Sequence, residues 1–272
     1  MSEPMLRSLY ISHGGGPLPL LGDPAHAELV RTLQGLAETL PRPEAIIVVS
    51  AHWEADVATV TTSAAPGLLY DYYGFSPESY QIDYPAPGAP HLAEQICEVL
   101  RAEGIPAEGD GCRAFDHGLF VPLKLMYPAA DIPCVQLSLL SSLDATAHLD
   151  LGRALSGLAA VTGRNLLLLG SGSSFHNLQA FFDGRDAHMY SHNQAFEGWL
   201  EQTLSSANLV ESERLHRLEH WEMAPHGRYC HPREEHLLPL HVCYGAMRRP
   251  AEQRFGFTMM GMQGSCYLWQ GD

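Results

Sequence analysis

The stretch AIIVVSAHWE, Ala45 to Glu54, constrains the fold more than any other part of this sequence. Its apolar run from Ile46 to Val49 reads as a strand buried on both faces, which belongs in a largely parallel sheet covered by helices. The run ends in small residues followed by His52 and Trp53. In open α/β sheets ligands bind beyond the carboxyl ends of the strands, so a histidine there is placed for chemistry. The arrangement recurs: His13 follows the strand Leu9 to Ser12 in LYISHGGG, and His176 follows Leu166 to Leu169 in NLLLLGSGSSFHN. Lone histidines after strands are most often structural or solvated. Three of them, two in glycine- or serine-rich settings where backbone and ligand can approach closely, point to one shared site.

The remaining pattern is consistent with one α/β domain spanning 1–272. At 272 residues with 46% hydrophobic content the chain can bury a large core, and no linker-like segment divides it. Helical periodicity runs from Pro24 to Leu40 with Asp23 as a candidate cap. It recurs over His91 to Arg101, Asp144 to Val161, Ala187 to Leu204, Ser212 to Met223 (a charged, exposed helix by pattern) and Glu234 to Met247. Strands are expected at Val57 to Thr62, Ile132 to Leu140, Arg254 to Thr258 and Ser265 to Trp269. The fold class is therefore α/β, a central mixed, largely parallel sheet with the site at the strand C-terminal ends.

Charge and cysteine usage exclude several functions. A net charge of -15 with no basic run argues against nucleic acid and anionic membrane surfaces. No stretch approaches the ~18 apolar residues of a membrane span, and with no signal-like start a cytoplasmic location is expected. Six scattered cysteines without a CxxC pair suit reduced thiols. The expected assembly is a monomer or small homo-oligomer.

Between Ala64 and Pro90 lies a long irregular segment holding Tyr70, Tyr72, Tyr73, Phe75, Tyr80 and Tyr84 among prolines and glycines. So aromatic a segment suits either a wall around a planar ligand or packing against the body. His117 stands between Asp116 and Gly118 at the start of a helical stretch. In HPREEHLLPLHV, His231, His236 and His241 are five residues apart, which is not the one-turn spacing of a helical metal pair. His241 reads as a packing or surface residue. Joined with His13 and His52, however, His236 would give three imidazoles from separate elements. Such a set suits Fe, Zn, Cu or Ni and leaves coordination positions open for catalysis. His176 and His117 would then serve as acid-base groups.

Six motifs, SHGGGP, VVSAHWE, YDYYGF with YPAPG, DHGLFVPL, GSGSSFHN and HPREEHLLPLHV, occur in an order that covers nearly the whole chain. Together they resemble the class III extradiol ring-cleavage dioxygenases, in particular the DOPA 4,5-dioxygenase-like branch. The resemblance implies a non-haem Fe(II) enzyme that opens a catechol beside its diol with O2 to a muconic semialdehyde. Elsewhere in the family two histidines and a glutamate hold the metal. Here the glutamate position falls on His236, with Glu235 just before it, so the implied ligands are His13, His52 and His236. Zn(II), which three histidines also suit, is expected to be able to occupy the site in purified protein. His176 matches the family's acid-base histidine and His117 a second active-site histidine near the substrate. Tyr72, Tyr73 and His231 are candidates to bind the substrate's side chain. Two other functions remain open at this stage: a zinc hydrolase on the same histidines, and a non-enzymatic binding protein of the Memo type.

Overall fold

The computed structural model describes residues 3–182 and 187–271. Eight strands form one sheet: β1 (Leu6–Ser12), β2 (Ala45–Ala55), β3 (Ala58–Thr61), β4 (Ala107–Asp110), β5 (Cys134–Leu140), β6 (Leu166–Gly172), β7 (Gln253–Met259) and β8 (Met262–Trp269). Their order across the sheet is β4-β3-β5-β2-β6-β1-β8-β7. The centre, β5-β2-β6-β1, is parallel, and the β7–β8 hairpin adds antiparallel strands at one edge.

Burial on both faces explains the apolar runs. Ile47, Val49, Leu166 and Leu168 point into one core, against helices Pro90–Ala102, Ala145–Leu155 and Leu238–Met247. Their neighbours Ile46, Val48, Leu167 and Leu169 point into the other, beneath helices Ala27–Thr39 and His117–Met126. Period-2 alternation thus divides one strand between two cores, which is how a strand can be apolar throughout.

Several boundaries differ from the sequence reading. The segment Asp144 to Val161 forms two helices, Ala145–Leu155 and Leu158–Thr162, broken at Ser156 and Gly157, where glycine disfavours helix. The last helix starts at Leu238 rather than Glu234. Pro239 stands in its first turn, where its missing N–H is tolerated, and His236 lies in the turn before it. Helix Glu211–Glu219 lies at the surface as its charge pattern suggests, but it turns Arg214 and Leu218 inward, where they are buried. Arg214 caps carbonyls of Thr203, Ser206 and Leu209. Strand β4 is an addition to the predicted set. Its sequence AEGD lacks the β-branched residues that announce a strand, and it pairs only at the sheet edge with β3. The six cysteines are free thiols, five of them buried.

His241, read from sequence as a packing or surface residue, is fully buried, its ring between the carbonyls of Leu218 and Leu237. Burial lowers its pKa from 6.5 to about 4. The folded state therefore resists protonation, and the unfolded chain takes up the proton first as pH falls. Its contribution is complete above pH 6.5 and is lost as pH falls towards about 4. The size is on the order of 3 kcal/mol. Urea midpoints of wild type and His241→Gln measured at pH 7.5 and pH 4.5 should converge with acid, the variant showing the shallower pH dependence. Parallel pH dependences would show that His241 does not act this way.

Candidate metal centre and substrate cavity

Three adjacent strands, in the order β2-β6-β1, deliver His52, His176 and His13 to one end of the sheet. His52 sits where the register of β2 against β5 slips between Val49 and Glu54, a bulge that re-aims its side chain. His13 leaves β1 into a glycine loop in which Gly14 (φ +88) and Gly16 (φ +55) are left-handed. His26 clamps that loop: its Nε2 accepts from the Gly15 amide at 3.1 Å while its Nδ1 meets Asp23 at 2.5 Å. Asp23 thus holds a side chain rather than a helix end.

His236 arrives by contact with β6. A Cβ on Gly172 would fall 2.0 Å from the His236 carbonyl oxygen, so the turn rests directly on the strand backbone. The same oxygen accepts from Tyr10 Oη and the Ser173 amide, each at 3.0 Å. The rings of His13, His52 and His236 consequently gather with centroids 4.9 to 5.3 Å apart.

Neighbouring groups decide which nitrogen each ring offers. Ser171 Oγ donates to the Gly118 carbonyl at 2.5 Å, so it accepts from His13 Nδ1 at 3.0 Å and leaves His13 Nε2 without a proton. That nitrogen lies 3.0 Å from His52 Nε2. His236 Nδ1 meets Glu235 Oε1 at 2.9 Å, which leaves its Nε2 as the free nitrogen. Two nitrogens bound to one ion at ~2.1 Å stand roughly 3.0 to 3.4 Å apart for angles between 90° and tetrahedral. The pair His13–His52 already has that separation, and the buried carboxylate behind His236 is the kind of partner that orients a metal-bound imidazole. The residues therefore fit a divalent transition metal.

Burial lowers the pKa of His13, His52 and His236, with mutual repulsion among the histidines adding to it; His236 falls to about 3. All three are thus neutral near pH 7, with lone pairs available. By nitrogen and oxygen separation the donors fall into two sets, His13 with His52 and His117, and His176 with Glu235 and His236, each within 4.8 Å. A further set, His216, Glu219 and His220, lies at the surface away from the sheet end.

His117 is buried and donates from Nδ1 to Asp71 Oδ1 at 2.8 Å, and its ring lies 3.9 Å from that of His52. Asp71 also receives the His117 amide and stands 3.7 Å from His52 Nδ1. Burial raises the pKa of Asp71, but the His117 hydrogen bond and charge outweigh it and hold the group below its ordinary value. His176 is partly exposed, with Nδ1 3.3 Å from Glu235 Oε1 and its ring stacked 3.4 Å from that of His236. Glu235 behaves as Asp71 does: burial raises its pKa, but contacts with His176 and His236 drive it far below the carboxylate range. Asp71 and Glu235 as partners of the imidazoles are absent from the sequence reading of roles. Asp71 stood in the aromatic motif YDYYGF, and an acid among tyrosines was the available signal.

Beside His176 and His236 lies a cavity of about 210 Å³ with predominantly apolar walls. The aromatic segment supplies Phe75 to it, while its tyrosines do other work. Tyr72 is buried, donates to the Ser79 carbonyl at 2.6 Å and stands edge-on to His117. Tyr73 is 92% exposed. His231 is fully buried against Phe196 and Trp221, donating from Nε2 to the Ser174 carbonyl at 3.0 Å. Of the candidate substrate-binding residues, then, only Tyr72 touches the histidine cluster through a ring contact.

An α/β sheet with neutral imidazoles gathered at its carboxyl edge beside an apolar cavity is the arrangement of an enzyme centre that could hold a metal. Residues 9–266 match the family described as the catalytic LigB subunit of aromatic ring-opening dioxygenase, and the chain belongs to that family. It is an extradiol ring-opening dioxygenase, acting with O2 on a small molecule. It is 39% identical to "Dioxygenase tasH" of Hapsidospora irregularis, the match covering 97% of this chain and 85% of that one. It is 37% identical to "4,5-DOPA dioxygenase extradiol" of Beta vulgaris, covering 88% and 86%. The protein of that name in Escherichia coli K12 is 36% identical, covering 90% and 87%. A crystal structure of an uncharacterized Escherichia coli K12 protein superposes with a TM-score of 0.74 at 34% identity, covering 96% of this chain and 98% of that one. Among the described residues, no helix is long and apolar enough to cross a membrane.

Proposed function

We propose that this chain is a non-haem Fe(II) dioxygenase that cleaves a catechol ring beside the diol, giving a muconic semialdehyde. His13, His52 and His236 would hold the metal. The observation that carries the reading is the 3.0 Å approach of His13 Nε2 to His52 Nε2, with the His13 proton committed to Ser171. Bound Fe(II) would supply the one-electron reactivity that O2 needs to combine with a closed-shell ring.

The chain's own groups account for the proton movements. Ring cleavage requires a catechol to give up protons, and His176 is at the cavity wall to take one at Nε2 while Glu235 holds its Nδ1. Asp71 orients His117 in the same way, so each acid-base histidine has a carboxylate at its Nδ1. The apolar walls exclude water from a ring seated between them.

Oxygen consumption after anaerobic reconstitution with Fe(II), using DOPA, caffeate, protocatechuate and catechol, tests the reading. Uptake matched one-to-one by a yellow semialdehyde is expected with at least one of them. No uptake in protein shown to contain Fe(II) would overturn it.

A second ligand set has an observation in its favour, since the donor atoms of His13, His52 and His117 lie within 4.8 Å of one another. Metal analysis separates the two. His236→Ala is expected to lose bound Fe(II) after dialysis while His117→Ala keeps it; the reverse pattern would assign the third position to His117.

A further inference from the structure

We infer that the preferred catechol carries a small apolar ring substituent, an alkyl group, rather than a carboxylate or an amino-acid side chain. The inference rests on the proposed catechol cleavage and specifies its substrate class. Beyond His176 and His236, the cavity is walled by Leu18, Phe75, Phe175, Leu178, Met259 and Met260. Among the described residues, no lysine or arginine lines it.

Two further polar groups at the cavity wall are already committed. The Ser173 hydroxyl donates to the Phe175 carbonyl at 2.7 Å, and the Gly15 amide donates to His26. Among the described residues, two arginines that approach the histidine cluster are occupied by acids. Arg233 forms two hydrogen bonds to Glu54, at 2.6 and 2.7 Å, and lies 3.4 Å from Glu235. Arg113 spans Asp116 and the His52 carbonyl and stacks over Trp53.

The described carboxylates at the histidine cluster, Glu235 and Asp71, are of the wrong sign for a carboxylate. Transferring an ionised carboxylate among thioether and phenyl groups without a partner is strongly unfavourable. A methyl or ethyl group gains by the same transfer. Met259 and Met260 add adaptable walls that adjust to substituent shape without providing a donor. Two of the named relatives, those of Beta vulgaris and Escherichia coli K12, take their names from DOPA, whose side chain carries both charges. Among its described lining residues, the cavity of this chain offers no cationic partner for the carboxylate of such a side chain.

The test uses the Fe(II)-loaded enzyme and four probes: 4-methylcatechol, 4-ethylcatechol, DOPA and protocatechuate. Oxygen uptake gives kcat/KM, and anaerobic calorimetry gives Kd independently of turnover. The alkylcatechols should exceed DOPA and protocatechuate by at least about tenfold in kcat/KM and bind with a Kd at least about tenfold lower. Equal or better kcat/KM and Kd for DOPA or protocatechuate would overturn the inference while leaving ring cleavage standing. Absence of uptake with every probe would overturn the proposed chemistry, and the order of Kd values would still decide which substituent the cavity accepts. A second variant reports on the wall itself: Met259→Lys should narrow the gap between 4-methylcatechol and protocatechuate several-fold. An unchanged ratio in folded variant would show that this wall does not set the preference.

Discussion

His176→Ala is expected to retain its metal and its catechol affinity and to lose turnover by about 10²- to 10⁴-fold, the range over which a positioned acid-base group acts. The separation of effects follows from where the side chain stands. It faces the cavity, and its ring lies against His236 in a parallel stack 3.4 Å away. Its Nδ1 is 3.3 Å from a carboxylate that also holds His236. Removing the ring leaves Glu235 bonded to His236, so the candidate ligand keeps its orientation. What disappears is the nitrogen that can exchange a proton with a catechol oxygen. Metal content and anaerobic catechol Kd within about threefold of wild type, with kcat reduced, are the expected results, matching a group that acts only along the reaction path. Loss of metal in this variant would make His176 a ligand. Full turnover would remove its acid-base role altogether.

How much of this was legible beforehand follows from what each feature depends on. The strands bearing His13, His52 and His176 were legible because burial on both faces requires apolar runs, and a sheet end requires small residues. The grouping of those three histidines was legible because parallel neighbours deliver their carboxyl ends to one place. His236 was harder. Its position is set by the backbone packing of the turn on Gly172, a tertiary contact that leaves no periodicity in HPREEHLLPLHV. The carboxylates that orient the imidazoles were not assigned, because Asp71 and Glu235 look like any acids in a sequence with 31 of them. Tyr72 and Tyr73 are equivalent as neighbours in a sequence without period, yet one is buried and the other is 92% exposed. The substrate cavity was least legible of all. Its walls come from the glycine loop, the aromatic segment, the loop after β6 and the β7–β8 turn, which no local pattern joins.

The dependence of His236 on a glycine makes the second large effect. Gly172→Ala is expected to loosen metal binding by about 10- to 100-fold, the cost typical of disturbing the support of a metal ligand. It should also destabilise the fold by about 1–3 kcal/mol. Gly172 is not a left-handed residue, so backbone strain is not the reason. The reason is space. The new methyl would meet the His236 carbonyl oxygen at 2.0 Å, and that oxygen is pinned by Tyr10 and the Ser173 amide. Either those hydrogen bonds stretch or the turn moves off β6, and the His236 ring moves with it. Gly35→Ala is the matched control, since it lies in helix Ala27–Thr39 with nothing within 4 Å of its Cβ position. That change should be neutral or stabilising by up to about 1 kcal/mol. Thermal melts with and without Fe(II), together with metal retained after dialysis, distinguish the outcomes. The Gly172 variant should melt several degrees lower, at about 2–4 °C per kcal/mol for a domain of this size, and shed metal that the Gly35 variant keeps. Identical behaviour of the two variants would mean that the turn does not rest on β6. The positioning of His236 would then need another cause.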